Sequence, residues 1–100
     1  MDKEEILNKL TALKPALKEK YGFTDILLFG SYAKGDAKEN SDIDIAVKLD
    51  DKYQTLANLI EAKEELKSNL GRVVDLIYYD RDCLNPIIKL EIDRSSIQIG

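Results

Sequence analysis

The chain contains no histidine and a single cysteine, Cys83, in 100 residues. One cysteine excludes an internal disulfide, and without histidine or a cysteine cluster neither a zinc site nor Ser-His or Cys-His chemistry can be assembled. Cys83 then reads as a packing or surface thiol. Long apolar runs are also missing. No stretch approaches the roughly 18 consecutive apolar residues of a membrane span, and the opening MDKEEILNKL has no signal-peptide core. A cytoplasmic protein with no membrane partner is expected. The sequence has no basic run, and its net charge is -4. Binding to long nucleic acid is dominated by neutralising phosphates, so long nucleic acid is not expected as a partner and polymerase or RNA-tailing activities rank low. There is no internal repeat, low-complexity tract or interdomain linker. At 44% hydrophobic the chain has material for a single domain over residues 1–100 with one core, and none for a second module.

What is present divides into periodic segments. Ile6, Leu10, Leu13 and Leu17 form an apolar stripe on a helix over residues 3–20, with Gly22 as its stop. Pro15 interrupts that stripe and either starts a second short helix or kinks one long one. Ile26, Leu27, Leu28 and Phe29 read as a strand. From Asp42 to Leu49 apolar and polar residues alternate strictly, so Ile43, Ile45, Val47 and Leu49 share one face of a second strand while Asp42, Asp44, Ala46 and Lys48 share the other. Asp51, with Gln54 at capping-box spacing, predicts a helix to about Leu70 that buries Leu56, Leu59, Ile60, Leu66 and Leu70 and ends at Gly71. Val73 to Tyr79 is a third strand, with Asp75 the one acidic residue in an apolar, β-branched run, where an unpaired carboxylate would be costly. Asn85 and Pro86 open a short helix to about Arg94 that buries Ile87, Ile88 and Ile92, and the alternation from Ser96 to Ile99 closes the chain as an edge strand. The expected class is α+β: a small mixed β-sheet of three to four strands with helices packed mainly on one face.

The stretch that carries chemistry is GSYAKGDAKENSDID, from Gly30 to Asp44. A helix starting just after Gly30 would aim free amides and its positive end at an anion, Gly30 would let backbone approach a phosphate closely, and Ser31 would add a hydroxyl donor. Lys34 could reach the same phosphate or simply face solvent. Gly35, Asp36, Lys38, Glu39 and Asn40 read as a mobile polar loop. Asp42 and Asp44 point the same way from one strand. Two carboxylates about 4 Å apart at an effective dielectric near 20 repel by roughly 4 kcal/mol, a cost that a shared divalent cation with oxygen ligands offsets. An isolated D-x-D is more often the solvated face of a strand, and Gly-Ser alone is an ordinary strand-to-helix turn with serine as N-cap. It is their combination that points to a site.

Gly30-Ser31, ten intervening residues, then Asp42-Ile43-Asp44 resembles the GS-x10-D-x-D signature of the DNA polymerase beta superfamily of nucleotidyltransferases. The flanks LFGSYAKG and SDIDIAV are most similar to its small MNT branch, minimal nucleotidyltransferases often encoded beside HEPN-domain proteins as toxin and antitoxin pairs. The resemblance runs from the first helix to the last apolar segment. It implies catalysis by Asp42, Asp44 and Asp75, which would also hold two Mg2+ ions, and binding of the phosphates of ATP by Gly30, Ser31 and Lys34. The family often has arginine where this chain has Lys34, so a bidentate phosphate contact is not expected there. The activity implied is transfer of AMP from ATP to a hydroxyl of a partner HEPN toxin, which neutralises that toxin. Two other outcomes stay open: a non-catalytic antitoxin acting by contact, and nucleotidyl transfer to a small-molecule hydroxyl.

Overall fold

Helix α1 runs unbroken from Lys3 to Tyr21 with Pro15 inside it. Pro15 is on the exposed side, where a missing backbone donor leaves only a carbonyl that water can reach. The Asp2 carboxylate caps the first turn by accepting from the Glu5 amide, and Gly22, at φ 76°, ends the helix in the left-handed conformation. Ile6, Leu10 and Leu17 on the inward stripe are fully buried. The computed structural model describes residues 2–38, 40–82 and 85–99, the side chains of 81 and 82 excepted. Cys83 and Glu39, discussed above as a thiol and a loop residue, lie outside the described residues.

Four strands form one mixed sheet in the order β3-β2-β1-β4: β1 Phe23–Phe29, β2 Ile43–Leu49, β3 Val74–Tyr78 and β4 Ile97–Gln98. Strands β1 and β2 pair antiparallel, β4 pairs antiparallel with the outer side of β1, and β2 pairs parallel with β3. The alternation in β1 to β3 sends Phe23, Ile26, Leu28, Ile43, Ile45, Val47, Val74, Leu76 and Tyr78 into the main core under α1 and α3 (Leu56–Leu70). The opposite parity, Leu27, Phe29 and Ala46, packs with Ile92 from α5 (Pro86–Ser95) in a smaller second core. Both long helices therefore cover one face and, among the described residues, the shorter α5 lies across the other, the layered α+β architecture that the patterning implies.

Three local expectations are corrected. The helix expected to start at Asp51 starts at Leu56, capped by Thr55, whose hydroxyl accepts from the Asn58 amide; Asp51–Tyr53 is instead a short 3-10 turn. Hydrogen bonds within the turn and from distant strands and helices explain the delay. The Gln54 side-chain amide donates to the Leu49 carbonyl (3.0 Å), the Tyr78 hydroxyl donates to the Thr55 carbonyl (2.8 Å), and the Asn58 side-chain amide donates to the carbonyls of Tyr21 and Tyr53 (3.1 and 3.0 Å). These hold the segment after β2 in a turn that a helix would break. Second, α3 buries Ala62, Leu66 and Leu70 with Leu59 beside them, while Leu56 and Ile60 are 67% and 52% exposed. At about 100° per residue, Ile60 stands roughly a third of a turn from the line through Ala62, Leu66 and Leu70. Third, in α5 only Ile92 is buried; Ile88 packs at the edge of the second core and Ile87 is 74% exposed. The cap of α5 is as expected, with the Asn85 side chain accepting from the Ile87 amide (2.9 Å) and Pro86 in the first turn.

Helix α5 is held on the sheet by more than Ile92. The last strand residue passes into the short helix α4 (Tyr79–Asp82), and the Tyr79 hydroxyl donates to Asp93 of α5 (2.8 Å) while Lys48 stands over the Tyr79 ring (4.7 Å to its centre). This fixes the residues of α5 that face the acidic end of β2.

Candidate active site

The site lies where β1 ends and β2 and β3 begin. Parallel pairing sets Asp44 directly opposite Asp75, one step on from the Ile43–Val74 pair, and in-register residues on adjacent parallel strands project to the same side. That side carries Ala46 and Ile77, so both aspartates emerge on the α5 face of the sheet. Asp42, two residues before Asp44 and one before β2, has the same parity and is exposed. The Ile43 amide donates to the Val73 carbonyl (3.0 Å), which ties the start of β2 to the start of β3. Asp75 is exposed at the second position of its strand. The expected cost of a carboxylate inside an apolar run is therefore not incurred: the run is apolar because its other residues face the cores, and Asp75 sits at its solvent end.

Asp44 differs from its neighbours. It is half-buried, and its carboxyl is pushed up from an ordinary 3.8 to about 6, first by burial and then by the negative charges of Asp75, Asp42 and Glu91. Glu91, on α5, carries no sign of this role in the sequence, where it is one charge among several on a short amphipathic helix. Only the docking of Ile88 and Ile92 on the second core brings it beside β2. Among the described residues no three acidic groups close tightly round one point as the side chains stand. What fits a hard divalent cation is the chemistry of the set: carboxylates on one face, the innermost disfavoured in its ionised form first by burial and then by the charge of its neighbours.

Gly30 connects the turn to the acids. It begins helix α2 (Gly30–Lys34) with φ 74°, and a Cβ built on it would fall onto the Asp44 carboxylate, within 2.9 Å of its Cγ and closer still to Oδ2. No residue with a side chain fits there unless Asp44 moves. The closeness expected between Gly30 and a phosphate is thus, in the protein alone, closeness to a carboxylate. Helix α2 has no side-chain cap: the residue before it is Phe29, and Ser31 stands inside the first turn, so the ordinary N-cap reading of this serine does not apply. The first amides of a helix have no intrahelical acceptor, and among the described residues no side chain takes that place. Tyr32, next along, is buried in the main core and anchors the short helix. Lys34, in the last turn, pairs with Glu91 (Nζ to Oε1, 3.0 Å). Gly35, at φ 79°, then turns the chain away.

The structure thus gathers all of the residues singled out in the sequence at one end of the sheet. Gly30 and Asp44 touch, Asp44 and Asp75 are register partners, Asp42 flanks them, and Lys34 pairs with Glu91, whose charge reaches Asp44. The arrangement offers uncapped amides and an ammonium for an anion, beside carboxylates for a cation, which is the equipment of phosphoryl chemistry.

Comparison with known proteins agrees. The family described as "Nucleotidyltransferase domain" matches residues 10–99. The protein adenylyltransferase MntA of Thermococcus cleftensis is 46% identical over 74 residues, which are 74% of each chain. The crystal structure of a toxin-antitoxin with AMP-PNP superposes with a TM-score of 0.76 at 29% identity, covering 93% of this chain and 73% of that one. A tri-AMPylated Shewanella oneidensis HEPN toxin in complex with its MNT antitoxin superposes with a TM-score of 0.69 at 26% identity, over 98% of this chain and 71% of the other.

Proposed function

Because the chain belongs to the nucleotidyltransferase domain family, we propose that it is the antitoxin of a toxin-antitoxin pair and transfers AMP from ATP to a hydroxyl of a HEPN-type toxin. The observation that carries the reading is the contact of Gly30 with Asp44, opposite Asp75, which supports a phosphate site beside the carboxylates. The relatives bear on the acceptor: one is a protein adenylyltransferase, and another is an antitoxin bound to an AMPylated toxin.

The amides at the start of α2 and the Ser31 hydroxyl bind the terminal phosphates of ATP, with the Lys34 ammonium over them. Asp42, Asp44 and Asp75 would hold Mg2+, which when bound supplies charge neutralisation on the triphosphate and on the attacking and leaving oxygens. Asp75, exposed at the second position of β3, faces the incoming acceptor and takes up its hydroxyl proton. The acceptor oxygen bonds to the α-phosphorus, the bond from that phosphorus to the bridging β-phosphate oxygen breaks, and pyrophosphate leaves with the electron pair. The chain contributes mainly position and charge compensation, which is most of what this chemistry requires.

The test is incubation with ATP labelled on the α-phosphate, Mg2+ and the product of a neighbouring HEPN gene. Label on the partner that is lost with Asp42→Asn or Asp44→Asn supports the enzyme. Toxin neutralisation that survives both substitutions without label refutes it in favour of an antitoxin acting by contact.

A further inference from the structure

Resting on that reading, we propose that Glu91 is a positioning residue that pins the Lys34 side chain beside the Gly30–Ser31 turn, so that its ammonium is already in place when the nucleotide's phosphates arrive. The argument starts from the flexibility of lysine. Its four-carbon stem has many rotamers to lose, and unlike arginine it offers a point charge with no fixed fork to orient it. A lysine used to bind phosphate at the end of a five-residue helix therefore benefits from an anchor.

Glu91 has the properties of one. Its own backbone is fixed, because Ile92 next to it is buried against Leu27, Phe29 and Ala46, and Ile88, one turn earlier, packs at the edge of the same core. Its carboxylate holds the Lys34 ammonium at 3.0 Å. Lys34 lies one turn after Gly30 on the same short helix, residues four apart share a face, and helical side chains lean toward the N-terminus, so the paired ammonium is on the Gly30 side of α2. An ammonium has three donors, and Glu91 engages it through one oxygen, so the phosphate does not have to displace Glu91. Both side chains line an open cleft between α2 and α5, which leaves the other donors accessible to an anion. Lys34 in turn offsets the charge of a fourth carboxylate on the acidic face, which would otherwise repel the triphosphate.

The test measures binding of AMP-PNP with Mg2+ by calorimetry, and transfer separately at saturating ATP. Glu91→Gln is expected to weaken binding about 3- to 5-fold, the scale of a half-exposed ion pair, while the transfer rate at saturating nucleotide changes less than about twofold. Glu91→Asp keeps the charge but is one methylene short, and is expected to weaken binding as Glu91→Gln does. In a Lys34→Ala background neither substitution should matter further. Tighter binding by Glu91→Gln would show that the carboxylate competes with the phosphate or repels it, and would overturn the proposal. So would unchanged affinity, an equal effect without Lys34, or a loss confined to the rate at saturation. If the unsubstituted protein bound no nucleotide, the nucleotidyltransferase reading would fall as well; unsubstituted binding that is indifferent to Glu91 overturns this proposal alone.

Discussion

Asp44→Asn should make the isolated protein more stable at neutral pH while abolishing transfer. The Asp44 carboxyl titrates near 6 in the folded chain against an ordinary 3.8, because burial and then Asp75, Asp42 and Glu91 oppose its ionisation. Between about pH 4 and 6 the folded protein binds more protons than the unfolded chain, so stability falls as pH rises through that window, and the penalty is complete above it. For a fully desolvated group the interval would be worth about 3 kcal/mol. Asp44 is only half-buried and its neighbours are solvated, so about 1 kcal/mol is the reasonable expectation. In a domain of this size that is about 4–8 °C in thermal midpoint. The assay is thermal unfolding of both proteins in EDTA at pH 7.5 and at pH 4. The variant should melt higher at pH 7.5, and the difference should close at pH 4, where the wild-type carboxyl is protonated. Millimolar Mg2+ should then raise the midpoint of the wild type alone, because only it offers the carboxylate. Equal or lower stability of Asp44→Asn at pH 7.5 in EDTA would refute the electrostatic account of the site.

The remaining expectations follow from particular contacts. Gly30→Ala should destabilise by about 2 kcal/mol, from the left-handed backbone and displacement of Asp44, and should lose nucleotide binding measured by calorimetry; a variant of wild-type stability would show that Asp44 can move freely. Ser31→Ala removes a half-exposed hydroxyl in the first turn of α2, so its stability in thermal unfolding should stay within about 0.5 kcal/mol of wild type while the KM for ATP rises. Asn58→Ala breaks two hydrogen bonds to the Tyr21 and Tyr53 carbonyls and should cost about 1–3 kcal/mol in urea unfolding without changing transfer by the folded protein. Leu66→Ala, in the main core at 1% exposure, should cost about 2–5 kcal/mol by the same measurement.

Most of the fold was legible in the chain because each strand carries its two environments in alternation, and because caps such as Asn85-Pro86 and stops such as Gly22 and Gly71 act over a few residues. The errors fell where long-range contacts override local preference. Asp51 and Gln54 have capping-box spacing, yet bonds from Asn58 to Tyr21 and from Tyr78 to Thr55 hold a turn there. In α3 and α5 the chain has more apolar residues than the sheet can cover, and the angle at which each helix docks decides that Leu56, Ile60 and Ile87 remain outside.

For the site, the sequence alone determined which residues could do the chemistry: a glycine and serine where a strand turns into a helix, and two aspartates that share a face because side chains alternate along a strand. It could not say that Asp75 stands opposite Asp44, since that depends on β3 joining β2 in parallel at one register. Nor could it place Glu91 on Lys34, or put the Asp44 carboxylate where a Gly30 side chain would be. Alternation and capping are properties of neighbours in the chain. Register, helix docking and the crowding of charge arise only once distant segments pack together.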